Sequence, residues 1–179
     1  MAQPAKRELP TVAPSAPDVT EIYDEHADFV WRSLHRLGIF TRDLPDLTQE
    51  AFVVVHRRRS DIDDTRELRP WLFGICANLA RNHRRKAFRR GERLTADVPE
   101  GRSESDPEAD VETRRLRERG RRLLEDLDPE KRAVFVMFEV EGLSGKSIAE
   151  ALGLALGTVH SRLHAARRAL SRALAEEEE

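Results

Sequence analysis

Apolar residues recur along this chain at steps of three and four, with no convincing run at steps of two flanked by turn residues. That period puts them on one stripe of a helix, and without alternating runs between turn residues the chain reads as all-α. The first stripe is Ile22, Ala27, Val30, Leu34 and Leu37, beginning near Thr20 and closed by Gly38. Leu47, Ala51, Val54 and Val55 predict a second helix over 46–58. Leu72, Ile75, Cys76 and Leu79 predict a third over 68–90. Pro70 suits its first turn, where a missing N–H costs nothing. Further on, Leu116, Leu123, Leu124 and Leu127 predict a fourth. Asp128 then caps a fifth with Pro129 in its first turn, with Val134, Met137 and Phe138 facing inward and Gly142 at its end.

Residues 142–170, GLSGKSIAEALGLALGTVHSRLHAARRAL, make the most informative stretch. Ser144 is placed to cap a short helix whose inner face is Ile148, Ala149 and Leu152. Gly153 stops it, since only glycine turns left-handed without strain. A second stripe follows in Val159, Leu163, Ala166 and Leu170, with Leu174 beyond. Its other faces carry Thr158, His160, Ser161, Arg162, His164, Arg167 and Arg168, donors suited to phosphates and base edges. A short helix, a glycine turn and a longer polar-faced helix is the layout of a DNA-binding helix-turn-helix. A helical hairpin with a solvated basic face has the same local pattern.

Charge changes the picture more by its distribution than by its total. The 31 Lys and Arg against 33 Asp and Glu give a net −2, which argues against a protein that coats DNA. Yet residues 81–93 hold seven Lys and Arg against Glu92, and 97–112 hold seven acids against Arg102. Six arginines follow within 114–122. Two basic working surfaces joined by an acidic segment are implied. With 39% hydrophobic residues the chain favours two small helical cores over one large one.

The expected organisation is therefore a disordered lead-in over 1–18, which holds four prolines, and a helical domain over 19–90. An acidic linker over 91–112 leads to a helix-turn-helix domain over 113–175 and an acidic tail over 176–179. The linker's 22 residues reach ~75 Å fully extended. As a coil they span only ~25 Å. DNA sites two turns apart lie ~70 Å from one another.

Candidate chemistry follows from these faces. Asp46, Gln49 and Glu50 share the outer side of the second helix. They either favour the helix dipole or dock a basic partner. In LRPWLFGICANLARNHRRKAFRR, aromatics, amides and a cationic run combine as single-stranded DNA binding requires. Trp71 and Phe73 serve equally well as core residues. The six histidines are scattered with no HExxH or CxxC spacing, so neither a metal centre nor an enzyme is expected. Cys76 is the only cysteine, which excludes an intramolecular disulfide and suits a reducing cytoplasm. No apolar run approaches the ~20 residues of a membrane span, and no signal peptide is expected.

Three stretches in order, DLTQEAF, LRPWLFGICANLARNHRRK and LDPEKRAVF followed by EGLSGKSIAEALGLALGTVHSRLHAARRAL, resemble the extracytoplasmic-function (ECF) sigma factors of bacterial RNA polymerase. The resemblance covers nearly all of residues 21–174. It implies a first domain that recognises and helps open the minus-ten promoter element, and a second that reads the minus-35 element. It implies that Asp46, Gln49 and Glu50 dock on the clamp helices of the polymerase's largest subunit, with the second-largest subunit's flap as a further contact. Trp71, Asn78, Asn82, Arg85 and Lys86 would handle minus-ten DNA. Thr158, His160, Ser161, Arg162, His164, Arg167 and Arg168 would serve the minus-35 element. An anti-sigma factor is an implied partner, and no cofactor is. Where such proteins usually offer an aromatic, Ile62, Asp63 and Asp64 stand here. A stand-alone dimeric helix-turn-helix regulator is the competing reading, and gel filtration with core polymerase separates the two.

Overall fold

The computed structural model describes residues 18–62, 67–90 and 111–177. Its elements are helices, in keeping with the all-α expectation. The first unit holds α1 (Val19–Arg36), α2 (Leu44–Arg57), a short 3-10 turn (Arg59–Asp61) and α3 (Leu68–Arg89). The second holds α4 (Val111–Glu125), α5 (Pro129–Phe135) running into a π-helical turn (Val136–Val140), α6 (Gly145–Leu152) and α7 (Leu156–Glu177). The expected lead-in, most of the linker and the loop at 63–66 lie outside the described residues.

Helix starts are set by local side chains. The Asp18 carboxylate accepts from the Thr20 N–H at 3.1 Å, and Asp128 accepts from the Glu130 N–H at 3.0 Å. Ser144 Oγ accepts from the Ser147 N–H at 3.1 Å. Each satisfies a donor the helix leaves open. Gly38 and Gly153 follow α1 and α6 with φ of 87° and 64°, a conformation that strains any residue with a Cβ.

The predicted stripes pack as a core. Ile22, Val30, Leu34 and Leu37 meet Leu47, Ala51, Val55, Leu72, Ile75, Cys76 and Leu79 in the first unit. Val134, Met137, Ile148, Val159 and Leu163 do the same in the second. None of these short helices holds alone, so packing supplies their stability. Phe73 is fully buried, which settles its role as core; Trp71 is half-buried with Arg58 5.7 Å over its ring.

Some boundaries and faces differ from expectation. α2 begins two residues before Asp46 because Leu44 is buried and Pro45 fits the first turn. α4 begins at Val111, inside the expected acidic linker, and Leu116 is 62% exposed rather than inward. Glu176 and Glu177, placed in the acidic tail by the sequence, belong to α7, and Glu177 meets Arg119 at 2.6 Å. Leu174 sits at the open end of α7 and is exposed.

The two units touch. Buried residues of both belong to one contiguous apolar cluster, with α6 seated against α3. Arg36 at the end of α1 pairs with Glu141 at 2.6 Å. Among the described residues no helix is long and apolar enough to cross a membrane.

Candidate nucleic-acid and protein interfaces

α3 carries a polar face that the core does not use. Asn78, Asn82, Arg85 and Lys86 stand at intervals of four, seven and eight, so one side of the helix presents them, and all four are exposed. Two amides and two cations along one face suit unpaired bases and their phosphates. Arg84, on the neighbouring side, instead turns inward and donates to the Leu37 carbonyl at 2.9 Å.

Two residues on this helix went unnamed by sequence reasoning. Arg81 donates to Asn78 Oδ1. A guanidinium only donates, so this contact fixes which way the amide points and leaves its NH2 to meet an acceptor. Phe88 is 85% exposed and lies three residues beyond Arg85, amid the cations that end α3. The signal for both was present in the spacing: positions 78, 81, 85 and 88 advance by three, four and three.

In the second unit the donor set divides. His160, Ser161, His164 and Arg168 are exposed on α7. Arg162 is turned toward α5, where it pairs with Glu130. Arg167 donates to Glu139 at 2.7 Å, with its guanidinium 5.5 Å over the Phe138 ring. Thr158 is half-buried, and its carbonyl accepts from the Ser161 hydroxyl at 3.0 Å. The Nε2 of His160 lies beside Gly145, where an added Cβ would come within 3.2 Å, so this side chain reaches from α7 to the start of α6.

On the far side of the first unit, Asp46, Gln49 and Glu50 are all exposed on α2. Beside them runs a groove of about 920 Å³ between α1 and α2. Tyr23, Ala27, Trp31, Phe52 and Val53 line it, with Gln49 at its edge. An acidic rim beside an apolar groove is suited to a protein surface that is basic at its edge and apolar at its centre.

Burial shifts the titratable side chains of Cys76 and His26. Burial pushes the Cys76 thiol up to about 12, so it stays protonated. Burial also lowers the His26 imidazole, with Arg69 adding to the effect and Glu25 opposing it. Among the described residues no group of three His, Cys, Asp or Glu gathers to hold a metal.

Comparison with known proteins gives matching halves. Residues 22–90 match Sigma-70 region 2, and residues 117–170 match Sigma-70, region 4. The ECF RNA polymerase sigma factor SigE of Mycolicibacterium smegmatis is 36% identical over 86% of this chain, which spans 60% of SigE's length. The ECF RNA polymerase sigma factor SigL of Mycobacterium tuberculosis is 35% identical over 87% of this chain and 88% of its own. Among solved structures, CnrH in complex with the cytosolic domain of CnrY superposes with a TM-score of 0.64. It is 25% identical and covers 88% of each chain.

Proposed function

Because the chain belongs to the ECF sigma factors of RNA polymerase, which direct promoter-specific initiation, we propose that its two units divide promoter recognition between them. The first unit handles the minus-ten element. Asn78, Asn82, Arg85 and Lys86 line the path of the opened strand, Trp71 lies two turns earlier, and Arg81 holds the Asn78 amide. The second unit reads the minus-35 duplex through α7. His160, Ser161 and His164 face base edges and Arg168 a phosphate, with Thr158, Arg162 and Arg167 at the margin. Phosphate contacts supply affinity and register, while base contacts discriminate. The observation that carries this reading is the exposed amide-and-cation face of α3, on the same chain as a helix-turn-helix.

Core polymerase takes the other side. Asp46, Gln49 and Glu50 meet the clamp helices of its largest subunit, and the flap of the second-largest meets the second unit. The chain makes and breaks no bond; polymerase performs the chemistry, in the cytoplasm. CnrH was solved with the cytosolic domain of CnrY. An anti-sigma factor is the partner we infer for the α1–α2 groove when polymerase is absent.

The test is Glu50→Lys. This exposed substitution should abolish co-purification with core polymerase while leaving the circular dichroism spectrum and melting temperature unchanged. Unimpaired polymerase binding would remove the docking assignment.

A further inference from the structure

Aromatic side chains wall the groove of about 920 Å³ between α1 and α2. Tyr23 stands edge-on to Phe52 with ring centroids 4.7 Å apart, and Trp31 lies two turns further along α1. Tyr23 is still 48% exposed and Val53 41%, so the walls are only partly covered. At the floor Thr48 is 8% exposed, and its hydroxyl meets no hydrogen-bond partner among the described residues. A buried hydroxyl left unpaired is costly, so the groove offers a polar contact as well as apolar ones. The turn at 37–43 returns α2 antiparallel to α1, which brings Trp31 and Pro45 to the same end. Asp28 lines the groove toward that end and Asp46 follows Pro45; both acids are exposed.

The chain carries a segment that fits. Val19 lines the opposite end of the groove, and residues 1–17 lead into it through Asp18, which is extended with φ −67° and ψ 129°. Residues 6–17 read KRELPTVAPSAP, with Pro10, Pro14 and Pro17 set among Leu9, Val12, Ala13 and Ala16. Proline-rich segments suit aromatic-lined grooves, because the polyproline helix is preformed and loses little entropy on docking. Length is sufficient. Between Val19 and Trp31 the groove follows ~18 Å of α1. At ~3.1 Å per residue, about six residues of polyproline helix cover that distance. With residues 14–17 given to the reversal, residues 8–13 reach the Trp31 end and carry Leu9, Pro10 and Val12 along the aromatic walls. Lys6 and Arg7 then arrive where Asp28 and Asp46 stand, opposite in charge. A polyproline backbone makes no internal hydrogen bonds, which leaves its polar groups available to Thr48.

We propose that residues 6–17 fold back into the α1–α2 groove of their own chain and shield the docking rim of α2. A tethered segment meets its site at an effective concentration on the order of mM, so weak contacts hold it. Gln49 lines the groove's edge and Asp46 stands at its end, so a seated segment must leave before another protein takes this face. What it competes with rests on the docking reading given above, whereas the seating does not.

A nitroxide on Ala13→Cys reads the seating, since Cys76 is buried and stays unlabelled. In proton–nitrogen NMR spectra of the labelled full chain, the Gln49 and Val53 amides and the Trp31 indole N–H should lose most of their intensity. Adding Leu9→Ser and Val12→Ser should restore it, with circular dichroism unchanged. Full intensity in the labelled parent would overturn the proposal. So would intensity lost only on mixing spin-labelled chain with isotope-enriched, unlabelled chain, which would give the groove to a second copy's segment. A segment seated in nine-tenths of chains weakens apparent binding about tenfold. The Leu9→Ser, Val12→Ser chain without the label should therefore bind core polymerase about tenfold more tightly than the parent. Release of the segment with no gain in polymerase affinity would overturn its shielding role. If neither chain binds polymerase, the docking reading fails, and the NMR intensities still decide the seating.

Discussion

Arg167 and Arg168 are neighbours in the chain, yet the fold gives them different work. Arg167 is held by Glu139 and covers Phe138, so removing it disturbs packing as well as charge. Arg168 projects from α7 and is exposed. Arg168→Ala should weaken binding to every duplex sequence to a similar degree. It should also flatten the log–log dependence of affinity on salt by about 0.9, the value of one phosphate contact. Fluorescence anisotropy across a salt series measures both, and a loss confined to one sequence would reassign Arg168 to base reading. The distinction was illegible in the sequence because Glu139 lies 28 positions away, and the Arg162 partner Glu130 lies 32 away. The Asn78–Arg81 contact, only three residues apart, was readable from spacing alone.

Single helices were the most legible level. Asp128 before Pro129, Ser144 three residues before Ser147, and glycine after α1 and α6 act through neighbours in the chain, so the code for starting and stopping is local. Where a boundary was missed, at Leu44, no such cap marks it. In α1, His26 gives a pH dependence. Burial holds its pKa below the ordinary 6.5, so the folded state favours neutral imidazole and the unfolded chain takes up the proton first. This contribution is present in full above about pH 6.5 and is lost as pH falls toward the lowered value. The melting temperature should thus drop between about pH 7 and pH 5, and His26→Gln should shrink that drop. Parallel slopes in thermal melts of the two proteins would assign the effect to other groups.

For the whole molecule, composition and charge distribution pointed to two helical units but not to their meeting. Gly74 read as a weak point within a strong helix; only the Ala151 carbonyl above it gives the reason. Arg36 and Glu141 are 105 positions apart, and no local pattern joins them. The family was more legible than the arrangement, because the three stretches that carry the resemblance each lie on one helix or one turn. The central claim is that these surfaces together tell polymerase where to begin. Transcription by core polymerase on a library of genomic fragments, with and without the purified chain, measures this most directly when RNA 5′ ends are mapped. The account predicts new starts that share two short sequence elements at fixed spacing and vanish with Glu50→Lys. Starts no different from those of core polymerase alone would contradict it.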